Sequence, residues 1–371
     1  MSRYRDAVAD ILAAADIRID GDRPHDIRVK NDAFYQRFLK DGRMGIGESY
    51  MDGWWECDAL DEMFLRFFQS RHAITQQTKS LRFLTTAIQA KIIPEGSAKR
   101  AYEIGEKHYD IGLSLYQRML DKRMVYTCAY WKNASNLDEA QEAKLDLVCR
   151  KMKLEPGMRV LDVGCGWGSF AKYAAEKYGV HVTGISVSKD QIELGRERCA
   201  GLPIELKYQD YRDLDEQYDR IVSIGMFEHV GQKYFDVFMK TMARSLKDDG
   251  LMLLHTIGFN NSNYFNPWLD KYIFPGCYVP SVAQMTKPME DLLTIEHLQN
   301  IGVNYDPTLM AWHENFVRSW PEIAHEYDER FYRMWTFYLL SCAAGFRGRF
   351  IQVWQFVLSK KGVPGGYYFD E

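Results

Sequence analysis

The chain has 371 residues, of which 46% are hydrophobic, so it is long enough to bury a large core as two domains or one large decorated domain. A formal net charge of -4 argues against a general nucleic-acid binder, because such proteins usually carry a clearly basic domain. The seven cysteines are scattered and contain no Cys-x-x-Cys pair, so we expect neither a disulfide nor a metal site. No apolar run approaches the ~18 residues that span a bilayer, which predicts a cytoplasmic or peripheral protein.

The first part of the chain, residues 1–91, predicts a mostly helical accessory domain with one irregular centre at residues 42–58. Residues 79–91 (KSLRFLTTAIQAK) combine an apolar helical stripe with nearby basic side chains. This pattern suits an anionic membrane surface, and a core-facing helix is the alternative. Proline and glycine then break the helical pattern. We therefore predict a linker at residues 92–100 and a catalytic domain at residues 101–371.

From residue 159 onward, apolar strands alternate with helical stretches, which predicts an α/β fold with a doubly wound parallel sheet. The predicted strands are residues 160–163, 182–186, 204–209, 220–224 and 251–256, and two more near residues 292–298 and 351–358 complete seven. The aromatic-rich insertion at residues 259–290 suggests a lid over an apolar ligand, with a packed structural loop as the alternative. An apolar helix is predicted at residues 331–346.

Three glycines follow the first of these strands at alternate positions, within residues 160–170 (VLDVGCGWGSF). Such a turn lets a nucleotide-like ligand approach the backbone before a helix begins near Ser169. A dinucleotide site would space its last two glycines by three residues and add an acid about 20 residues later. The observed spacing fits a class I methyltransferase with S-adenosylmethionine better, and a tight structural turn is the alternative. The predicted cradle comprises Asp162, Gly164, Cys165, Gly166, Trp167 and Gly168.

Polar residues also follow the other strands, whose carboxyl ends form the ligand-binding edge of such a sheet. Asp210 after the third strand suits an adenine amino group, with Tyr211 flanking the ring, and a solvated loop acid is the alternative. The usual ribose-binding acid is missing after the second strand. Ser186, Ser188 or Gln191 must therefore substitute for it.

Three further polar positions are candidates for chemistry. Glu228 and His255 each lie where a strand ends, and buried polar side chains there are costly unless paired with each other, a ligand or water. We expect them to form one polar pocket. Upstream, residues 125–131 (VYTCAYW) place Tyr126, Thr127 and Cys128 where they can fold over the cofactor. The alternative for Cys128 is a thiol that only fills space in the core.

Together these motifs resemble the cyclopropane-fatty-acyl-phospholipid synthases over nearly the whole chain. The matching motifs in chain order are GESYMDGWWECD, EKHYDIG, TCAYW, LDVGCGWGS, QDYRD, GMFEHVG, LLHTIG, DKYIFP and NYDPTLMAW. The resemblance implies methyl transfer from S-adenosylmethionine to a cis double bond of an unsaturated phospholipid acyl chain, followed by proton loss and ring closure. It also implies a homodimer, bound peripherally at the cytoplasmic face of the membrane.

Alkylation of an alkene creates a carbocation that must lose a proton to a nearby base in a dry site. The resemblance implies that a bound bicarbonate ion is this base. The pocket residues that the resemblance carries over are Cys128, Glu228, His255, Ile257 through its backbone, and Tyr305. Glu228 and His255 would position the anion rather than take the substrate proton. The cofactor contacts carried over are Tyr126, Thr127, residues 162–168, residues 186–191, Asp210 and Tyr211.

Cys342 on the apolar helix also matches a cysteine proposed as an active-site residue of this family. A thiol on an apolar helix face is more often inert packing, so Cys342 ranks below Cys128. Two other functions stay open. One is a methyltransferase acting on an amine or hydroxyl group, for which a general base suffices. The other is a non-catalytic lipid-binding protein, which loss of the glycine loop or of Glu228 would favour.

Overall fold

The computed structural model describes residues 2–78, 112–262 and 264–370. The chain divides into two compact units. The helical unit comprises Met1–Met119, Asn266–Pro275 and Leu309–Phe350, and the sheet unit comprises Leu120–Phe265, Gly276–Thr308 and Ile351–Glu371. The predicted linker at residues 92–100, the basic apolar stripe at residues 79–91 and most of the EKHYDIG motif lie outside the described residues, so the predicted domain boundary stays a prediction.

Fourteen helices can be numbered in the described part of the chain. They are α1 (Ser2–Ala13), α2 (Ala33–Asp41), α3 (Arg43–Met51), α4 (Leu60–Gln69), α5 (Arg71–Thr78), α6 (Leu113–Met119), α7 (Leu137–Lys151), α8 (Ser169–Tyr178), α9 (Lys189–Arg198), α10 (Phe235–Ser245), α11 (Pro267–Tyr272), α12 (Val282–Thr286), α13 (Tyr305–Ile323) and α14 (Glu329–Arg347). Within the described residues, no helix combines the length and apolar character that crossing a bilayer requires.

The strands follow the same order. They are β1 (Arg28–Val29), β2 (Trp55–Glu56), β3 (Arg159–Val163), β4 (His181–Ser186), β5 (Ile204–Tyr208), β6 (Tyr218–Ile224), β7 (Leu246–Phe259), β8 (Thr294–Asn300) and β9 (Ile351–Ser359). The first two form a short antiparallel pair in the helical unit, and the other seven form one sheet.

In the helical unit, α14 packs against α3 and α4. The predicted irregular centre at residues 42–58 is wrong for its first half, which is helix α3. Its glycines serve close packing instead of turns: a Cβ built at Gly45 would lie 2.3 Å from the Arg37 carbonyl oxygen, and one at Gly47 would lie 2.4 Å from the Trp268 indole. Glycine lowers helix propensity, so the sequence pattern alone favoured a loop.

Trp268 belongs to the aromatic-rich insertion for which a lid was one alternative. Its side chain is buried in the helical unit, where its ring centroid lies 4.6 Å from that of Phe337. Nearby, the buried carboxylate of Glu48 accepts hydrogen bonds from Arg37 at 2.6 Å and from Tyr272 at 2.7 Å. This part of the insertion, Asn266–Pro275, is therefore a packed segment of the helical unit.

The sheet unit has the strand order β5-β4-β3-β6-β7-β9-β8. Strands β3 to β7 pair in parallel, whereas β9 is antiparallel to both β7 and β8. The seven-stranded α/β prediction is confirmed, but the sheet is mixed, so a wholly parallel sheet was wrong for the last two strands. The chain order reverses at β3, whose neighbours are β4 and β6. Ligands of such sheets bind outside the carboxyl ends of the strands at this reversal.

One face of this sheet is covered by α10, whose Phe238 lies in the apolar core. Its ring contacts Phe227 at a centroid distance of 5.1 Å and Tyr211 at 5.2 Å. Both partners lie on loops that follow strands of the sheet, so α10 helps to hold the ligand-binding edge.

Replacement of Phe238 by alanine is expected to destabilise the protein by about 3–5 kcal/mol, because the deletion leaves a cavity in a fully buried site. Val237, the preceding residue, is 40% exposed, and Val237→Ala is expected to change the free energy of unfolding by no more than about 0.5 kcal/mol. Denaturant unfolding of both variants measures the difference. Equal losses in the two variants would contradict the described packing of α10.

Candidate active site

Backbone hydrogen bonds hold the glycine loop after β3 against strand β4. The N–H groups of Gly164 and Cys165 both donate to the Ile185 carbonyl oxygen, at 2.9 and 3.0 Å. Gly164, Gly166 and Gly168 have φ values of 85°, 53° and 77°, which lie in the left-handed region that favours glycine. Gly168 then caps the N-terminus of α8.

The three glycines differ in what surrounds them. A Cβ at Gly164 would lie 2.6 Å from Cβ of Met226, and one at Gly168 would lie 2.8 Å from Sγ of Cys199. At Gly166 a Cβ would meet no described atom within 4 Å. The loop is therefore packed at both ends and open at its middle, where a ligand can approach the backbone closely. The close approach at Gly164 also packs the loop against Met226, two residues before Glu228.

The residues predicted to contact the ribose form a local hydrogen-bonded turn after β4. The Ser186 hydroxyl donates to Oε1 of Gln191 at 3.2 Å. The Ser188 hydroxyl accepts from the Gln191 N–H at 3.4 Å and caps α9. The structure thus brings the three candidates together beside the glycine loop, whose N–H groups reach the adjacent Ile185.

Asp210, predicted to contact the adenine, is paired with Arg212. The guanidinium donates to both carboxylate oxygens, at 2.8 and 2.7 Å, and holds the pKa of Asp210 below its ordinary value. The carboxylate is therefore ionised at neutral pH, and an adenine amino group would share it with Arg212. The ring of Tyr211 packs edge-on against Phe238, next to Asp210 in the chain.

The segment 125–131 is held over the ends of the central strands by buried polar groups. Asp121 accepts from the Val125 N–H at 2.8 Å, and the Gln141 amide donates to the Thr127 carbonyl at 2.8 Å. A Cβ at Gly225, just after β6, would lie 2.7 Å from Cγ2 of Thr127. Thr127 therefore contacts the strand end that leads to Glu228, and half-buried Tyr126 precedes it.

A buried lysine lies beneath this segment. Nζ of Lys144, on α7, donates to the Thr127 hydroxyl at 2.8 Å. Burial lowers the pKa of Lys144 to about 8, although the nearby carboxyl groups of Asp121 and Asp162 act against this. Burial also raises the pKa of Asp162 to about 7, with Lys144 acting against it, and Oδ2 of Asp162 has no hydrogen-bond partner among the described residues. The strand end that carries the glycine loop thus holds an unsatisfied polar atom, as a ligand site does.

Glu228 and Ile257 are joined directly. The Ile257 N–H donates to Oε1 of Glu228 at 2.6 Å, while Oε2 is buried and has no hydrogen-bond partner in the described part of the chain. Burial raises the pKa of Glu228 to about 7, and the Ile257 N–H and Thr256 act in the opposite direction. A bound anion would have to share the Ile257 N–H with this carboxyl group.

His255 lies in the same region, because its carbonyl oxygen accepts from the Gly225 N–H at 2.9 Å. Its side chain is buried, and burial together with the charges of Lys144 and Lys151 holds its pKa well below the ordinary value. The imidazole is therefore neutral at neutral pH. The two side chains predicted to form one polar pocket are thus a neutral imidazole and a carboxyl group that titrates near neutrality.

Polar contacts join residues 128–131, which include Cys128, to the first turn of α13, which begins at Tyr305. The Thr308 hydroxyl accepts from the Ala129 N–H at 3.2 Å and from the Trp131 indole at 2.9 Å. Sγ of Cys128 lies 3.9 Å from the Ile301 carbonyl, and buried Tyr305 begins α13. Burial raises the pKa of the Cys128 thiol, so it is protonated and is not an activated nucleophile.

Cys342 lies on α14, in the helical unit. Burial raises its pKa to about 12, so it too is a thiol at neutral pH. The protonated thiol gives no support to a nucleophilic role, and the assignment of Cys342 to the active site stays a prediction.

Lys144 and Lys151, which are both fully buried, were not among the residues predicted from the sequence. A usable signal was present, since the two lysines are seven residues apart on α7 and share a helical face with Gln141 and Val148. A lysine on an apolar helical stripe is rare unless it has partners within the protein.

The strand order, the reversal at β3 and the glycine loop at that point define the fold of the S-adenosylmethionine-dependent methyltransferases of class I. A coclaurine N-methyltransferase structure aligns over 86% of this chain and 99% of its own with a TM-score of 0.67, and its 21% identity shows the fold alone.

Closer relatives define the family. The family model for mycolic acid cyclopropane synthetase matches residues 96–356. The cyclopropane-fatty-acyl-phospholipid synthase of Escherichia coli K12 is 49% identical over 358 residues, which cover 96% of this chain and 93% of that protein. A mycolic acid cyclopropane synthase solved with SAH and CTAB is 33% identical over 68% of this chain and 96% of its own, with a TM-score of 0.64. The chain therefore belongs to the mycolic acid cyclopropane synthetase family, and the predicted resemblance is confirmed.

The ionisation of Glu228 gives a stability prediction. Its pKa is about 7 in the folded protein and 4.5 without burial, so the folded state binds more protons between these values and loses stability as pH rises through them. This costs up to about 3 kcal/mol above pH 7. Glu228→Gln removes the titration, so its free energy of unfolding relative to the original protein is expected to rise between pH 5 and pH 8.5. Denaturant unfolding at both pH values measures this.

The comparison cancels groups such as Asp162, which titrate in both proteins. Asp248→Asn, a change at an exposed carboxylate paired with Lys360 and Lys361, is the control and should show only a small pH-dependent difference. A difference between Glu228→Gln and the original protein that stays constant from pH 5 to pH 8.5 would contradict the assigned burial.

Proposed function

We propose that the protein converts cis double bonds of unsaturated phospholipid acyl chains into cyclopropane rings, using S-adenosylmethionine and releasing S-adenosylhomocysteine. The observation that carries the proposal is the pairing of Glu228 with the Ile257 N–H beside His255, next to the open glycine loop, in a chain 49% identical to a cyclopropane-fatty-acyl-phospholipid synthase. S-adenosylmethionine, when bound, supplies an electrophilic methyl group, and bicarbonate, when bound, supplies the base that takes a proton from that carbon.

The residues of the chain have separate tasks in this proposal. The backbone from Asp162 to Gly168 holds the cofactor, with the serines after β4 at the ribose and Asp210 at the adenine. Gly166 supports this assignment, because the space beside it is open. Tyr126 and Thr127 cover the cofactor from the segment that Lys144 and Gln141 hold in place.

Glu228 and His255 bind the anion and do not themselves take the substrate proton. A carboxyl group whose pKa is about 7 can be protonated beside an anion, and its Oε2, which lacks a partner among the described residues, is then a hydrogen-bond donor. The neutral imidazole of His255 adds a second donor without placing a fixed positive charge against the carbocation. Cys128 and Tyr305 complete the pocket wall.

The remaining parts of the proposal concern the membrane. An acyl chain must be reached from a bilayer, so we infer peripheral binding to the cytoplasmic face of the membrane, with the basic apolar stripe at residues 79–91 as its contact. We also infer a homodimer, on the resemblance to the family. Lipid or dimer contacts are assigned to residues 1–91.

The central test uses vesicles of an unsaturated phospholipid with S-adenosylmethionine. We expect acyl chains heavier by one methylene, detected by mass spectrometry, with saturated-phospholipid vesicles giving none. Removal of bicarbonate should lower the rate, and addition of bicarbonate should restore it. Glu228→Gln should abolish the product because an amide keeps a hydrogen-bond donor but has no titratable proton to share with the anion, whereas the exposed control Asp248→Asn should retain it. Methylation of a soluble amine without any lipid product would instead support the methyltransferase alternative.

The two cysteines are expected to differ. Cys342→Ser should keep substantial activity, since methyl transfer to an alkene needs no covalent enzyme intermediate and the Cys342 thiol is protonated. Cys128→Ser should weaken the dependence of the rate on bicarbonate, because Cys128 lines the proposed anion pocket. Initial rates across a bicarbonate series measure both effects. Complete loss of activity in a folded Cys342→Ser protein would reverse this ranking.

A further inference from the structure

A row of polar side chains, buried except for half-buried Gln299, crosses three strands of the sheet unit. His255 on β7 is the direct cross-strand partner of Gln355 on β9, and Gln355 is the direct partner of Gln299 on β8. Direct partners in an antiparallel pair project from the same face. Lys151, at the last turn of α7, reaches this row and donates from Nζ to Oε1 of Gln355 at 2.8 Å and to Oε1 of Gln299 at 2.5 Å.

The lysine determines how the Gln355 amide is oriented. An ammonium group has only donors, so the atom of the amide that faces it must be the carbonyl oxygen. The amide nitrogen then faces His255, where Nε2 of Gln355 lies 3.2 Å from Nδ1 of the imidazole. Reversal of the amide would place its NH2 group against the buried ammonium and leave donors unpaired, which is costly for buried groups.

The orientation of Gln355 in turn determines the proton position on His255. An amide NH2 only donates, so Nδ1 must accept and cannot carry a proton. The neutral imidazole therefore carries its proton on Nε2. Its only lone pair in the ring plane is already used by Gln355, so the ring can donate from Nε2 and has no basic nitrogen free to take a proton.

We propose that Lys151 and Gln355 are positioning residues that hold His255 as the Nε2–H tautomer, so that the ring donates to the bound anion and cannot act as the base. The role of this donor rests on the proposed function, whereas the tautomer follows from the hydrogen bonds alone. The arrangement explains why the proposed chemistry uses an external base although a histidine lies in the pocket.

Burial gives this row its effect. Lys151 and Gln355 are fully buried, and His255 is 2% exposed, so water does not compete for these donors and acceptors. The nearby charges of Lys144 and Lys151 further disfavour a second proton on the ring. A lysine, a glutamine and a histidine thus act as one chain of hydrogen bonds with a single direction.

The tautomer can be measured without any assay. Nitrogen-15 NMR of the full-length protein with labelled histidine distinguishes a protonated from an unprotonated Nδ1, and His255→Gln assigns the signal. We expect the Nε2–H tautomer in the original protein. Observation of a proton on Nδ1 would overturn the proposal, and this measurement needs no variant of the positioning residues.

Gln355→Glu tests the link to catalysis. A carboxylate accepts hydrogen bonds and pairs with Lys151, so it favours a proton on Nδ1. We expect the NMR signal of His255 to show a proton on Nδ1. We also expect kcat with vesicles and bicarbonate to fall by at least about tenfold, because an oriented donor is lost, with little change in KM for S-adenosylmethionine. Lys151→Met, which frees the amide to turn, should lower kcat in the same direction.

Gln352→Met is the matched control. Gln352 is a buried amide on the same strand, but its Oε1 accepts from Asn300 at 2.9 Å and its cross-strand partner on β7 is Gly258. This variant should keep the tautomer and the rate. An unchanged kcat in folded Gln355→Glu would overturn the positioning role. If the original protein has the expected tautomer but cyclopropanates no lipid, the proposed function fails and the hydrogen-bonded chain stands.

Discussion

The hydrogen bond from the Ile257 N–H to Glu228 is the contact on which the rest of the site depends. It joins the loop after β6 to β7 and gives a buried carboxyl group a donor at 2.6 Å, which offsets part of the cost of removing that group from water. The offset is incomplete, since the pKa of Glu228 stays near 7. The pocket is therefore built around a carboxyl group that is almost equally stable with and without its proton at neutral pH.

The sheet delivers this contact because neighbouring parallel strands end at one edge. The loop after β3 is packed against the loop after β6 through Gly164 and Met226, and Thr127 closes on Gly225 at the same edge. A side chain at Gly164 would push apart the cofactor loop and the loop that leads to Glu228. The glycine loop and the carboxyl group are thus placed by one packed structure, which limits how far either can move relative to the other.

Sequence patterns predicted the parts of this fold that depend on local periodicity. The sequence showed the apolar strands, the glycine turn and the polar residues near strand ends at Asp162, Glu228 and His255. Burial and turn geometry each leave such a local signature. The antiparallel direction of β9 left no signature in the sequence, because a buried strand has the same apolar pattern in either direction. The helical glycines at 45 and 47 were misleading, because their reason is contact with residues distant in sequence.

The polar row from Lys151 to His255 could not be derived from local pattern either, because its members come from one helix and three strands. Only the pairing register places Gln355 opposite His255. The row matters for charge balance in the pocket. With His255 neutral and Glu228 able to hold a proton, the bicarbonate that we propose would not face an ionised carboxylate. Because ionised Glu228 costs stability and would also repel such an anion, folding and the proposed anion binding would both favour the protonated carboxyl group.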